Sequence, residues 1–145
     1  MVNDKYFLDV ALRTAEESNC TELKVGAVLV KDKRICSVGY NGTAAGYINC
    51  DEALDKGLYK KENHHDWSKD NEIHAELNCL LFAAKYGIST KDCILYVSYE
   101  PCDNCLKHII QAGIKEVVYL YPYKKKYCHS IYRDNNLVNI RQFVE

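Results

Sequence analysis

The second half of the chain alternates between the two periods that distinguish helices from strands, and this alternation restricts the fold more than any other feature. The segments "HAELNCLLFAAKYG" (74–87) and "PCDNCLKHIIQAG" (101–113) have helical spacing, and each ends at a glycine that can terminate a helix. The apolar runs "CILYVSY" (93–99) and "EVVYLY" (116–121) have the composition of buried strands. Helices that alternate with strands predict a mixed sheet covered by helices.

The first half of the chain predicts a helix followed by a hairpin. Apolar residues recur at helical spacing in "DKYFLDVALRTAEES" (4–18), and "LKVGAVLV" and "ICSVGYNG" predict two strands around a tight turn. Residues 43–71 are polar and show no clear period, so we expect a long irregular insertion that is functional or mobile. "VNIRQFV" (138–144) has the composition of one more strand. With no linker or repeat, a single domain over residues 1–145 is predicted.

Composition excludes several classes of function. The net charge of −1 at pH 7 offers no broad basic surface for nucleic acid or a membrane. No apolar run reaches the roughly 18 residues that a membrane span requires, and the first residues, "MVNDKYFLDV", lack the pattern of a secretion signal. Eight cysteines in such a chain are better explained by metal binding and burial than by disulfides. We therefore expect a cytoplasmic protein.

Candidate metal ligands lie at the starts of the two predicted helices of the second half. "PCDNC" places Cys102 and Cys105 three residues apart at a helix start, so that both thiols project to one side and can share one ion. His74, at the head of the other helix, supplies a third ligand. Three protein ligands leave a fourth tetrahedral position for water, as in a catalytic zinc site. Glu76, two residues after the histidine, can exchange protons with that water without binding the metal.

Each of these residues has a simpler explanation when taken alone. His74 could cap its helix, Glu76 could be a first-turn acid that complements the helix dipole, and a C-x-x-C pair could be a redox site. The pair lies late in the chain, whereas a thioredoxin-like pair is expected near an N-terminal βαβ unit. H-x-E followed by P-C-x-x-C is typical of zinc-dependent nucleobase deaminases. We interpret His74, Cys102 and Cys105 as zinc ligands and Glu76 as the catalytic acid–base.

With these motifs the chain resembles the cytidine deaminase superfamily, and within it the deoxycytidylate (dCMP) deaminases of bacteriophages. The resemblance extends over about residues 24–123 and rests on "KVGAVLV", "GYNGTAAG", "NEIHAELN", "YVSYEPCDNC" and "QAGIKEVVY". H-A-E and P-C-x-x-C are shared by the whole superfamily, whereas G-Y-N-G before a long polar insertion points to the dCMP branch. The resemblance implies a three-layer α/β/α fold with a five-stranded mixed sheet. If the chain is viral, it implies a location in the host cytoplasm.

The resemblance also implies the reaction, the hydrolytic deamination of dCMP to dUMP and ammonia by a zinc-activated water, which supplies dUMP for thymidylate synthesis. Glu76 would move protons to N3 and to the leaving amine. Asn41 would contact the substrate sugar, Ala75 would lie against the substrate, and Tyr123 would stack on the pyrimidine. Lys24 is a candidate phosphate contact, as is the basic run "YKKKY", and spacing alone does not choose between them.

Allosteric control and assembly are implied by the same resemblance. dCTP would activate and dTTP would inhibit, each with Mg²⁺ and each bound around Gly39, Tyr40, Asn41 and Gly42. Homo-hexamers are usual in this branch. Glycines let backbone N–H groups approach phosphates closely. Without the resemblance, G-Y-N-G is equally well explained as an ordinary Asn-Gly turn.

A second, structural zinc site is also implied, because some phage members of the branch carry one. The matching residues are Cys20, Cys50, His64 and Glu72, and His65 is an alternative to His64. A metal ion would order a polar insertion that has too few apolar residues to fold by burial alone. The alternative is two buried cysteines and two solvated histidines.

Two other functions are compatible with the motifs. A deaminase of cytidine, guanine or tRNA adenosine would share the zinc ligands. A tRNA enzyme requires a broader basic surface than this chain has, and a nucleoside enzyme does not need a phosphate contact. A non-catalytic zinc-binding module would not need Glu76, so the intact H-A-E motif favours an enzyme.

Overall fold

The computed structural model describes residues 3–129 and 131–145. The helices in this part of the chain are α1 (Asp4–Ala15), α2 (Cys50–Asp55), α3 (His64–Asn71), α4 (Ala75–Lys85), α5 (Asp103–Gln111) and α6 (Ile131–Asp134). The strands are β1 (Gly26–Lys31), β2 (Arg34–Tyr40), β3 (Gly42–Thr43), β4 (Glu72–Ile73), β5 (Ile94–Tyr99), β6 (Glu116–Tyr121) and β7 (Asn139–Gln142). Among the described residues, no helix has both the length and the apolar character needed to cross a membrane.

Five strands form the main sheet in the order β2-β1-β5-β6-β7. The β1–β2 and β1–β5 pairs are antiparallel, whereas the β5–β6 and β6–β7 pairs are parallel. Helix α5 makes the crossover that a parallel β5–β6 pair requires. β3 and β4 form a separate two-residue ladder. The prediction of a five-stranded mixed sheet is confirmed.

Helices cover both faces of this sheet. On one face, α1 buries Phe7 and Leu8 against Val28 and Tyr96. Leu29, the next residue along β1, belongs to the core on the opposite face, because successive side chains of a strand point in opposite directions. That second core is built with α4 and α5 and includes Cys79, Leu80, Ala83, Leu95, Val97, Leu106, Ile109 and Val117. The predicted three-layer α/β/α architecture is confirmed.

The expectation that residues 43–71 are irregular is wrong, since they contain α2, α3 and β3. The ring of Tyr59 stacks on that of Trp67 with centroids 4.5 Å apart. Around this pair, Cys20 and Cys50 form a small core of their own. Periodicity did not reveal these helices because they are only six and eight residues long.

The tail joins the first helix to the last strand. β7 confirms the strand expected over residues 138–144, and the short α6 precedes it. Arg141 Nη2 donates to Asp4 Oδ2 at 2.8 Å, and its Nε lies 3.4 Å from Glu116 Oε2. The Tyr96 hydroxyl donates to Asp4 Oδ1 at 2.7 Å. These contacts connect α1, β5, β6 and β7 through two partly buried carboxylates.

Gly39 allows strand β2 to lie directly against helix α4. A Cβ atom at this position would come within 2.5 Å of the Cys79 amide nitrogen and 2.7 Å of the Ala75 carbonyl oxygen. At Gly42 the same atom would meet nothing within 4 Å. The first glycine of G-Y-N-G therefore serves the packing of the helix that begins within the H-A-E motif, whereas the last glycine does not.

We expect Gly39→Ala to destabilise the protein strongly and Gly42→Ala to have little effect. The methyl group at position 39 would force apart two pieces of backbone, and overpacking of this kind lowers the free energy of unfolding by about 3 kcal/mol. The change at position 42 should stay within about 0.5 kcal/mol. Urea unfolding of the two variants beside the parent chain measures both values. Equal stability of the two variants would contradict the close approach of β2 to α4.

Candidate functional site

Two helix N-termini bring the predicted catalytic ligands together at one edge of the sheet. His74 is the N-cap of α4, and Cys102 is the N-cap of α5, which follows the end of β5. His74 Nδ1 lies 3.1 Å from Cys105 Sγ and 3.6 Å from Cys102 Sγ. The three donor atoms all lie within 4.8 Å of one another. One imidazole nitrogen and two thiols are the donor set of a zinc site that keeps one position open.

The surroundings of this cluster favour a thiolate. A hydrogen bond from the Cys105 thiol, joined by one from the His74 ring, lowers the pKa of Cys102 to about 4. The hydrogen bond between His74 and Cys102 raises the pKa of the His74 ring to about 9. The hydrogen bond that Cys105 makes to Cys102, together with burial, raises the pKa of the Cys105 thiol. The thiolate is the form of cysteine that binds a metal, and a cation displaces the shared protons. The cluster therefore fits a zinc ion chemically as well as geometrically.

Glu76 lies beside the cluster in the first turn of α4. It is only 4% exposed, and burial raises the pKa of its carboxyl to about 7 even though the neighbouring His74 ring acts in the opposite direction. Its carboxyl also shares a hydrogen bond with Cys105. A carboxyl that titrates near neutral pH can both accept and return a proton. The site is thus suited to general acid–base chemistry next to a metal.

Tyr123 lies after β6 on the same side as the cluster. Burial raises the pKa of its hydroxyl, and the charges of Tyr127, Cys102 and Glu76 add to the increase. Its ring stacks on Tyr127 with centroids 5.7 Å apart, and Tyr127 stacks on His65 of α3 at 5.8 Å. We call these three rings the aromatic column. Sequence analysis missed Tyr127 and His65 in this role, because their contact joins two segments that show no common local pattern.

The other predicted substrate contacts lie at the same end of β5. Ala75, the first residue of α4 and the neighbour of His74 in sequence, is fully buried. Lys24 is exposed and precedes β1 by two residues. β1 and β5 are antiparallel, so the start of β1 lies beside the end of β5. Because Lys24 is exposed at this edge, its ammonium group is accessible to a phosphate.

Asn41 has a structural role that sequence analysis missed. Its Oδ1 accepts a hydrogen bond from the Val25 amide at 2.9 Å, and its Nδ2 donates to the Leu23 carbonyl oxygen at 2.8 Å. The Ser18 hydroxyl donates to its backbone carbonyl at 2.8 Å. These contacts hold the G-Y-N-G loop against the segment before β1. The two side-chain contacts use half of the hydrogen-bonding capacity of the Asn41 amide, which has two hydrogens and two lone pairs.

A second set of candidate ligands converges where the insertion meets the segment between α1 and β1. The donor atoms of Cys20, Cys50, His64 and Glu72 all lie within 4.8 Å of one another. Cys20 Sγ is 3.5 Å from both His64 Nε2 and Glu72 Oε1. Cys50 Sγ lies 3.1 Å from the Tyr59 hydroxyl. The two cysteines and the glutamate are buried, which distinguishes this set from the groups of exposed acidic residues that are common on protein surfaces. We call it the insertion cluster.

The insertion cluster also fits a cation. Oε2 of Glu72 is buried and has no hydrogen-bond partner among the described residues, and such an atom would be satisfied by a metal ion. Sulfur, imidazole and carboxylate are all zinc ligands. Without a cation, burial raises the pKa of the Cys20 thiol to about 12. Of the two adjacent histidines, His64 contributes to the cluster, whereas His65 lies on the aromatic column.

A groove of about 490 Å³ runs along the G-Y-N-G loop. Its lining includes residues 39–42 together with Cys20, Cys50 and Glu72 of the insertion cluster. Its remaining polar lining includes Asn19, Asn49, Asn78 and Lys85. Amides and one lysine can recognise a polar or anionic molecule. The structure thus places the predicted effector residues around one open concave surface.

Comparisons with known proteins agree with this geometry. Residues 1–121 match the family model described as the cytidine and deoxycytidylate deaminase zinc-binding region. The deoxycytidylate deaminase of Enterobacteria phage T4 is 40% identical over 149 aligned positions, which cover 81% of this chain and 77% of that protein. Human deoxycytidylate deaminase is 37% identical over 117 positions, which cover 80% of this chain and 63% of that protein.

A solved structure is similar over nearly the whole chain. It is the crystal structure of dCMP deaminase from the cyanophage S-TIM5 in complex with dCMP and dUMP. It is 31% identical and aligns with a TM-score of 0.76 over 96% of this chain and 95% of that chain. The similarity therefore includes the insertion and the tail as well as the sheet.

Proposed function

The chain belongs to the cytidine and deoxycytidylate deaminase family, and we propose that it is a deoxycytidylate deaminase, which converts dCMP and water to dUMP and ammonia. The observation that carries this proposal is the convergence of His74, Cys102 and Cys105 beside the buried carboxyl of Glu76. Phage relatives with about 40% identity over four-fifths of the chain carry this name. The similar cyanophage enzyme is described with both dCMP and dUMP.

The reaction divides between the metal and the side chains of the site. His74, Cys102 and Cys105 would hold zinc, which when bound activates water for attack on the amidine carbon C4. Glu76 takes the two protons of the attacking water in succession and delivers one to N3 and one to the departing amine, so that the C4–N4 bond breaks and ammonia leaves. A carboxyl with a pKa of about 7 can do both at neutral pH. The face of Tyr123 is suited to stacking on the pyrimidine.

The remaining substrate contacts follow from position and chemistry. Lys24 is exposed at the end of the sheet where the cluster lies, and its ammonium group suits a 5′-phosphate. Asn41 retains one amide hydrogen and one lone pair for the sugar hydroxyl, beyond the bonds that hold its loop. Ala75 lies between the metal ligand and the proton carrier, so its small side chain leaves room for the base.

Regulation forms a further part of the proposal. The groove along Gly39, Tyr40, Asn41 and Gly42 is the site at which dCTP would activate and dTTP would inhibit, each with Mg²⁺. Lys85 and the amides of the lining are suited to phosphate and base groups. The product dUMP would supply thymidylate synthesis, and the enzyme would act as a homo-hexamer in the cytoplasm, that of the host if the chain is viral. Eight free cysteines suit such a reducing compartment.

The proposal includes a second, structural zinc ion in the insertion cluster. Cys20, Cys50, His64 and Glu72 would hold it. Support comes from the four donor atoms lying within 4.8 Å of one another and from the orphaned oxygen of Glu72. This ion would join the end of α1 to α2, α3 and β4.

A turnover assay on purified protein tests the proposed substrate and its regulation. Loss of cytosine absorbance is followed with dCMP and with deoxycytidine, each with and without dCTP or dTTP plus magnesium. A charge-assisted phosphate contact contributes about 1.5–3 kcal/mol, so we expect kcat/KM for dCMP to exceed that for deoxycytidine by at least about 10-fold. Turnover of deoxycytidine alone would reject the substrate, and turnover unaffected by both triphosphates would reject the effector groove.

Glu76→Gln should abolish most of the turnover while leaving the metal in place. The amide preserves the shape and hydrogen bonding of the carboxyl but cannot carry the proton, and the loss of a general acid–base lowers kcat by about 100-fold or more. Glu62→Gln, which changes an exposed carboxyl on the insertion, serves as the control. Zinc content and dCMP turnover are measured on both variants. Full activity of Glu76→Gln would reject the mechanism.

His64→Ala and His65→Ala should separate the insertion cluster from the aromatic column. We expect His64→Ala to lose one zinc ion per chain and about 3 kcal/mol of stability, while the His74 site keeps its zinc. His65→Ala should retain all its zinc, because its ring lies on Tyr127 instead. Atomic absorption and thermal unfolding give both results. Equal zinc content in the two variants would exclude a metal in the insertion cluster.

A further inference from the structure

A single arginine of the tail holds the turn that carries Cys102. The Arg133 side chain, in α6, is only 13% exposed. Its Nη1 donates to Asp103 Oδ1 at 2.6 Å, and its Nη2 donates to the carbonyl oxygen of Pro101. Its Nε lies 3.4 Å from Glu100 Oε2. The three contacts therefore fall on the residues immediately around Cys102, on both sides of it in the sequence.

A guanidinium group is suited to this set of oxygens from Asp103, Pro101 and Glu100. Its N–H groups lie in one plane and point in fixed directions, so two hydrogen bonds and one ion pair made at once restrain the relative positions of the three partner residues. The contact of Nε with Glu100 is an ion pair rather than a hydrogen bond, because Nε is buried and finds no aligned acceptor among the described residues. An ammonium group could keep the charge but not the planar arrangement.

Glu100 connects Arg133 to Tyr123 as well as to the cysteine turn. Its carboxylate is 8% exposed, and Oε1 accepts a hydrogen bond from the Tyr123 amide at 3.3 Å. Its own backbone amide donates to the Tyr121 carbonyl oxygen at 2.8 Å. One carboxylate thus lies between the arginine and the backbone of the residue that faces the pyrimidine. The orientation of Tyr123 and that of the cysteine turn depend on one buried ion pair.

The tail supports this turn at a second point. Cys128 is buried, and its thiol donates to the Pro101 carbonyl oxygen at 3.4 Å. The same carbonyl accepts from Arg133. Pro101 has no backbone N–H to donate, so its carbonyl oxygen is the backbone group through which this residue can be held.

We propose that Arg133 is a positioning residue for the deamination, which orients Cys102 toward the metal and, through Glu100, Tyr123 toward the base. The proposal rests on the proposed function for the identity of the metal and the substrate. It gives the tail a role in the site that neither H-A-E nor P-C-x-x-C reveals. Groups that hold metal ligands in place change metal affinity or activity by about 10- to 100-fold when they are removed.

The test compares Arg133→Gln and Arg133→Lys with Arg13→Gln, which changes an exposed arginine of α1 whose ion pairs are with two surface glutamates. Zinc retained by the full chain is measured over a series of chelator concentrations, and a His74→Ala variant shows which part of the zinc belongs to this site. We expect both Arg133 variants to lower the zinc affinity of the His74-dependent site by about 10-fold or more. kcat for dCMP should fall in parallel, and Arg13→Gln should match the parent chain.

The outcomes separate positioning from simple anchoring of the tail. A lower melting temperature in Arg133→Gln, with zinc affinity and kcat within about twofold of the parent, would mean that the arginine only anchors the tail, and would overturn the proposal. Arg133→Lys with parental zinc affinity would overturn it as well, and that variant decides the question if Arg133→Gln does not fold. A parent chain that binds zinc at His74 but does not convert dCMP would reject the proposed function alone, because the zinc measurement still tests Arg133.

Discussion

The meeting of two helix N-termini at the carboxyl end of β5 is the constraint on which the site depends. α5 follows β5 and crosses over to the parallel strand β6, so its first turn lies at that end by topology. α4 precedes β5 and packs beside α5 on the same sheet face, which brings His74 to the same edge. The backbone contact at Gly39 fixes how closely α4 approaches the sheet. Ligands from distant segments of the chain therefore meet because of the strand order and the packing of α4 beside α5.

The same arrangement gives the thiol of Cys102 and the carboxyl of Glu76 opposite pKa shifts. Both helices direct the positive ends of their dipoles at the cluster, which favours negative charge there. Cys102 accepts hydrogen bonds and its pKa falls to about 4. Glu76 is buried away from water and lies near the Cys102 thiolate, and its pKa rises to about 7. One group is thus prepared to bind a cation and the other to carry a proton, and the difference is caused by solvation and hydrogen bonding rather than by residue type.

The sequence revealed those parts of the molecule whose signals are local. H-A-E and P-C-x-x-C each place ligands within one turn of a helix, so both motifs and the strands around them could be predicted. The structural role of Asn41, the stack of His65 on Tyr127 and the contacts of Arg133 could not, because each joins segments far apart in the chain. The ligands of the insertion cluster come from four separate segments as well, and a family resemblance rather than their spacing suggested them. The helices of the insertion were missed because they are too short to show a period.

The insertion presents a stability problem that its donor groups can solve. α3 has no buried residue, and α2 buries only Cys50 and Ala53. Ordering each residue of a chain opposes folding by about 1–2 kcal/mol, and so small an apolar core cannot offset that for residues 43–71. The insertion cluster lies inside this core, so under the proposed function a cation there supplies the missing free energy.

Under the proposed function, metal binding in the insertion would also be linked to the groove along the G-Y-N-G loop and to the catalytic site. Cys20, Cys50 and Glu72 form part of the groove along the G-Y-N-G loop, so an ion that orders the cluster also orders the wall of the groove. By thermodynamic reciprocity, a nucleotide that bound in the groove, as proposed, would stabilise the ordered insertion. α3 carries His64 into the cluster and the adjacent His65 into the aromatic column, whose other end is Tyr123. A movement of α3 would therefore change the position of groups that line the groove and of the aromatic column beside Tyr123 at the same time.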